Sequence, residues 1–313
     1  MASLYQRVGR GRPGPLPAKW GDRFRAALVF AVVALVASGC NHHRERVVIG
    51  CKNFTEQIIL GELVAQEIEG RTHLAVERRF YLGGTYIAHQ SIVAGRIDVY
   101  PEYTGTALTA VLKQPAGADK KAVYEKVKAE YERRFQLTLG PPLGFNDTFA
   151  IEIRGESARR LKLQSLSQAA VYTPHWRAGF GYEFMERKDG YQGLVTTYGL
   201  RFAAPPRIMD LGLLTRALKE HQVDLIAGNM TDGLIRPLDL FVLEDDKHYF
   251  PPYEAVCVVR QQTVAAHPAV LEALERLGGT ISDEDMRRLN YQVDGEKRDV
   301  RGVVSSFLHG KRL

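Results

Sequence analysis

From Arg46 onward the chain alternates between two hydrophobic periods. "RVVIGC" reads as a short buried strand. "NFTEQIILGELVAQEIEG" puts Ile59, Leu63 and Ile68 on roughly one helical face, with Asn53 and Glu56 at capping-box spacing and Gly70 as a stop. "LAVERRFYL" predicts the next strand, Thr85 to Ala94 a helix and "IDVY" a third strand. This βαβαβ order implies parallel strands with helices on the faces and loops gathered at the carboxyl ends, where ligands bind. A charged helix follows from Tyr124 to Phe135, then a strand in "FNDTFAIEIRG". Helices are predicted around Leu166–Ala170, Glu183–Glu186, Tyr191–Tyr198 and Met209–His221, then a strand in "VDLIAGN" and another in "YEAVCVVR". "AVLEALERL" and "SDEDMRRLNYQV" are closing helices.

Two stretches share one grammar. "AGRIDVYPEYTGT" and "EHQVDLIAGNMTDG" each hold a helix end, an apolar-Asp-apolar strand and a Thr-containing glycine turn. They suggest two α/β units that each present a similar loop. Pro141-Pro142-Leu143-Gly144 and the segment from Glu244-Asp245-Asp246 to Pro251-Pro252 read as crossovers between two lobes, with the C-terminal helices returning to the first lobe. One large open sheet is the alternative. The first of the two stretches also gathers tyrosines at a strand exit, where Gly, Asn or Asp ordinarily makes the turn. Such rings form either a hydrophobic plug or a ligand surface.

The N-terminus stands outside this pattern. Residues 1–25 carry six Lys/Arg against Asp22 alone, and Ala26 to Gly39 run without a charge, too short for a spanning helix of about 20 residues but suited to a signal peptide. The run ends "ALVASGC", similar to a bacterial lipoprotein processing site, which makes Cys40 the candidate lipidated residue and 40–46 an anchor and tether. Ala37 stands where Leu is usual. Residues 1–39 hold five of the formal +6, leaving the exported chain near +1, so its basic pI does not point to nucleic acid. No zinc or haem spacing occurs, and no cofactor or metal is expected. Cys51 and Cys257 either pair in an oxidising compartment or stand as two buried thiols.

"VVIGCKNFTEQIILGEL", "LGGT", "IDVYPEYTGTALT", "FGYEFMERKDGYQGL", "TDGLI" and "HYFPPYEAVCVVR" resemble, in order and over about Arg46 to Leu308, the substrate-binding proteins of glycine-betaine/choline (osmoprotectant) ABC importers. The resemblance implies a type II periplasmic-binding-protein fold: two α/β lobes joined by two crossovers around a ligand cleft, spanning 47–143 with 247–313 and 144–246. It implies a membrane permease as partner, a small betaine or choline-type ligand and a membrane surface reached through the lipid anchor. A quaternary ammonium donates no hydrogen bond, so it is held by aromatic faces. Tyr103 and Tyr253 match the family's cage, whereas Tyr100 differs in strand parity and suits packing. Arg187 matches the family's carboxylate clamp. Lys52, before a helix start, and Thr106 supply further donors. Phe149 and Asn229 stand where many members have tyrosine, so one wall loses a hydroxyl and another becomes polar. Among rivals, an enzyme finds only His89 and the Glu183/Glu186 pair to recommend it, with no nucleophile, HExxH or Walker motif. A sensory binding protein without a permease shares all of these features.

Overall fold

The period-two strands and amphipathic helices assemble into two five-stranded sheets. In the computed structural model residues 45–311 are described; the leader, Cys40 and most of the tether lie outside them. The strands are β1 (Arg46–Gly50), β2 (Ala75–Arg79), β3 (Val99–Tyr103), β4 (Leu137–Leu139), β5 (Phe149–Arg154), β6 (Ala178–Phe180), β7 (Arg207–Ile208), β8 (Leu225–Asn229), β9 (Leu240–Leu243) and β10 (Ala255–Arg260). The first sheet runs β2-β1-β3-β10-β4 and the second β7-β6-β8-β5-β9. In each, four strands run in one direction and one runs against them, β10 between β3 and β4 and β5 between β8 and β9. The single open sheet is thereby excluded. The chain passes between the sheets twice, after β4 and after β9, through the two proline-marked segments.

The echo between the two stretches has a physical cause. β3 and β8 are the central strands of their sheets. The Asp98 side chain accepts from the Val48 backbone N–H at 2.8 Å and lies 3.5 Å from Arg260, the last residue of β10. The Asp224 side chain accepts from the Arg177 N–H at 3.0 Å and pairs at 2.7 Å with Arg154, the last residue of β5. Each aspartate locks the entry of its central strand to both neighbours.

Strand parity sorts the core. Val47, Ile49, Val99 and Tyr103 face helix α1 (Thr55–Arg71) and the C-terminal helices, with Val270, Leu274, Met286 and Phe307 in the same cluster. Val48, Tyr100, Val256 and Val258 pack on the opposite face with Ile92, Val127 and Tyr131. Ile151, Phe180 and Leu225 anchor one side of the second sheet, and Leu218, Val223 and Ile226 the other.

Three local expectations are corrected. Phe54, not Asn53, caps α1, and it makes no side-chain cap bond; Glu56 is turned inward and buried, so no capping box forms. Gly70 lies inside that helix. The Thr-Gly-Thr segment is not a turn but a helical one, Thr104–Thr106, continuing as π-helical Ala107–Val111. Cys51 and Cys257 are free and buried, and burial pushes both thiols up to about 12. Among the described residues no helix is long and apolar enough to cross a membrane.

Candidate ligand-binding cleft

The loops at the carboxyl ends of β1, β3 and β8 and the start of β5 meet between the sheets around a cavity of about 390 Å³. All seven residues singled out from the sequence line it: Lys52, Tyr103, Thr106, Phe149, Arg187, Asn229 and Tyr253. Tyr100 does not; its parity turns it into the opposite core cluster.

The rings come from both sides of the cleft. Tyr103 ends β3, and its hydroxyl donates to Glu56 Oε1 at 2.7 Å. Tyr253 precedes β10 and donates to Asp189 Oδ2 at 2.6 Å. The two motifs touch through Gly105, where a Cβ would lie 2.6 Å from the Pro252 carbonyl oxygen and 2.8 Å from the Tyr253 ring. That contact explains a glycine in "EYTGT". Phe149 begins β5 and packs edge-on against Phe184 and Tyr253, at centroid separations of 4.9 and 5.5 Å. Its register partner across β8 is Asn229.

Neither candidate cation is free. Lys52 Nζ is paired with the fully buried Glu102 and lies 5.0 Å from the Tyr103 ring centroid. Burial pushes the Glu102 carboxyl up, and Lys52 draws it part of the way back. Arg187 bonds Asp189 side-on, Nε to Oδ1 at 2.9 Å and Nη2 to Oδ2 at 2.5 Å. Its Nη1 donates to Thr106 Oγ1 at 3.1 Å, and the guanidinium stands 5.1 Å from the Phe149 ring centroid. Burial alone would raise Asp189, but Arg187 and the hydroxyls of Tyr253 and Thr109 more than offset it and hold the carboxyl below its ordinary value. A guanidinium has five N–H donors. Among the described residues three are used, which leaves two at the Nη1/Nη2 end.

The sequence reading missed a second set of lining groups. Asp147, Glu183 and Asp210 add carboxyls, and Phe54, Ile87 and Phe184 add apolar surface. Glu183, read from the sequence as a helix-surface residue, reaches across the cleft: a Cβ on Gly84 would fall 2.0 Å from its Oε1. Asp147 is buried, and burial together with nearby Glu56 pushes its carboxyl well up. A carboxylate inside "NDTF", ahead of an apolar strand, was the available signal. His89 lies away from the cavity. It packs 4.7 Å from Phe135, and burial, with Arg134 close by, lowers its pKa to about 4. Among the described residues no group of three or more His, Cys, Asp or Glu is placed to hold a metal.

Several known proteins resemble this chain in sequence and fold. Residues 45–310 match the family described as the substrate-binding domain of ABC-type glycine betaine transport systems. The chain is 36% identical over 262 residues to the ergothioneine transport permease/ergothioneine binding protein EgtU of Helicobacter pylori, covering 83% of this chain but only 47% of that longer protein. It is 33% identical to the carnitine transport binding protein OpuCC of Listeria monocytogenes, covering 85% of this chain and 86% of the relative. A crystal structure of a glycine betaine/carnitine/choline ABC transporter protein superposes with a TM-score of 0.71 at 32% identity, covering 85% of this chain and 98% of that one. The two-sheet fold, the cleft between its lobes and the match over nearly the whole described chain place this protein among the substrate-binding domains of ABC-type glycine betaine transport systems.

Proposed function

We propose that the cleft captures a small betaine or choline-type molecule and delivers it to a membrane permease. The observation that carries this reading is the convergence of Tyr103, Phe149, Tyr253 and Arg187, drawn from both lobes, on one cavity. The quaternary ammonium lies against the rings, each worth roughly 0.5–2 kcal/mol, and shares them with Lys52 and Arg187. The ligand's anionic end takes the free Nη1/Nη2 donors of Arg187. Since Glu102 and Asp189 already neutralise the two protein cations, the carboxyls of Glu183 and Asp210 bias the remaining lining toward a positive guest. Upstream, the signal peptide directs export, and Cys40 carries the lipid that tethers the domain to a membrane surface.

A calorimetric panel on the chain from Asn41 tests the ligand class, with glycine betaine, choline, carnitine, proline betaine, ergothioneine and ordinary amino acids. A quaternary ammonium compound should bind one to one and remain unchanged, while ordinary amino acids give no heat. Saturation by an ordinary amino acid alone, or turnover of any member, sinks the reading. Mass spectrometry of the exported protein tests the anchor, which requires a mature N-terminus at lipid-bearing Cys40.

The cavity's size favours one refinement. About 390 Å³ has room for roughly a dozen waters at about 30 Å³ each. Trimethylglycine fills a minor part of that space. A bulkier betaine whose second polar group meets the Asn229 amide uses more of it.

A further inference from the structure

One hydroxyl between the lobes has too few protons for its neighbours. Thr231 follows β8 and is fully buried. Its Oγ1 is within hydrogen-bond distance of Glu56 Oε2 on α1 and, at 2.7 Å, of Asp147 Oδ1 in the first crossover. A threonine hydroxyl carries one proton and can donate to one carboxyl. The other carboxyl must bring its own proton, or two lone pairs meet in a buried site. Glu56 is otherwise supplied with donors from its own lobe: the Tyr103 hydroxyl at 2.7 Å and the Asn290 amide at 2.9 Å. Among the described residues, the Asp147 carboxyl otherwise receives only the Thr231 backbone N–H, at 3.3 Å. The balanced arrangement is therefore a protonated Asp147 donating to Thr231, which donates to the Glu56 carboxylate.

The surrounding charges do not relieve the shortage. Lys52 is committed to Glu102 and Arg187 to Asp189. Beyond Glu56, Asp232, Asp294 and Lys297 line a second cavity, and burial pushes both of those aspartates up. Burial likewise raises Glu56 and Asp147 themselves.

We propose that Glu56 and Asp147 share one proton through Thr231 when the lobes meet, and that Glu56 is thereby a positioning residue, holding Tyr103 from behind and tying the two lobes together. This rests on the reading that the cleft closes on a ligand. Separated lobes would expose both carboxyls to water, where they ionise in the ordinary range, so capture takes up a proton. The contribution to affinity is complete below the ordinary carboxylate pKa and is lost as pH rises through the raised value of the closed pair.

Calorimetry with glycine betaine, whose charges do not titrate near neutrality, tests this in buffers of different ionisation heat. Proton uptake should approach one per ligand, with Kd rising by up to about tenfold per pH unit across the window. D147N, whose amide donates without needing a proton, and E56Q should both flatten that pH profile. A flat wild-type profile without proton uptake overturns the proposal, as does an unchanged slope in D147N. Absence of any heat counts against glycine betaine as ligand, and the same titrations with choline or carnitine then decide the proton: uptake near one per ligand supports it, and a flat pH profile with any of the three overturns the shared proton.

Discussion

Phe149 and Asn229 are register partners across β5 and β8, so the two places where the cavity wall lacks a tyrosine expected of the family are one place in the structure. The Phe149 face is engaged by the Arg187 guanidinium at 5.1 Å, while Asn229 presents an amide beside it. Asn229→Tyr adds a ring at the edge of the cage and should tighten glycine betaine by up to roughly tenfold, about one cation–π contact. The same substitution should abolish binding of a bulkier betaine that bonds the amide. Calorimetry of both ligands on one variant separates the two outcomes; no change in either would place the ligand away from β8.

Tyr103 serves the cleft with its ring and Glu56 with its hydroxyl. Tyr103→Ala should cost about 1–2 kcal/mol of affinity, the ring's contribution. Tyr103→Phe keeps the ring but leaves a buried carboxyl oxygen without its donor, so it should cost about 1–3 kcal/mol of stability and little affinity. Paired titrations and urea unfolding check this; equal affinity losses in both variants would mean the hydroxyl, not the ring, meets the ligand.

Much of this was legible because strand periodicity is local. The family resemblance singled out Tyr103, strand parity set Tyr100 aside, and the repeated apolar-Asp-apolar pattern pointed to two equivalent strands. The partners of the charged residues were harder to read. Glu56 looked like a capping-box residue from its spacing to Asn53, yet it is held by Thr231 and Asn290, 175 and 234 positions away. Glu102 did carry a signal, a charge inside the fully buried strand "VYPEY" that demands a cation. Nothing in the sequence named Lys52 as that cation. The same limit hid Asp189, which a reading of Arg187 as a free clamp overlooks although it lies two residues away.

The twin aspartates of the central strands should be stability residues without a role in binding. Asp98→Ala and Asp224→Ala each remove an acceptor from a backbone N–H, that of Val48 or Arg177, and leave Arg260 or Arg154 without its carboxylate, at a cost of about 1–3 kcal/mol in urea unfolding. Burial would raise Asp224, but bonds from Arg177 and Arg154 hold it below its ordinary value. Its contribution is therefore present above the usual carboxylate pKa and lost as pH falls through the lowered one. The destabilisation by Asp224→Ala should shrink in acid. A difference independent of pH would show that the carboxylate's charge is not what binds the strands.

Arg187 carries two duties that a single substitution confounds. Arg187→Ala removes the donors at the Nη1/Nη2 end and also strands the buried Asp189, so affinity should fall more than for Tyr103→Ala and stability by about 3–5 kcal/mol. Arg187→Lys retains charge but lacks the planar fork, so one ammonium cannot keep the side-on bond to Asp189 and still present paired donors to the cleft. The double variant Arg187→Ala with Asp189→Asn removes the stranded charge along with the fork. It should recover most of the stability and none of the affinity for a betaine carboxylate, while choline, which has no carboxylate, should bind it nearly as well as the parent. Recovery of betaine affinity together with stability would mean that Arg187 shapes the cleft without touching the ligand, and the anionic end would then belong to Lys52.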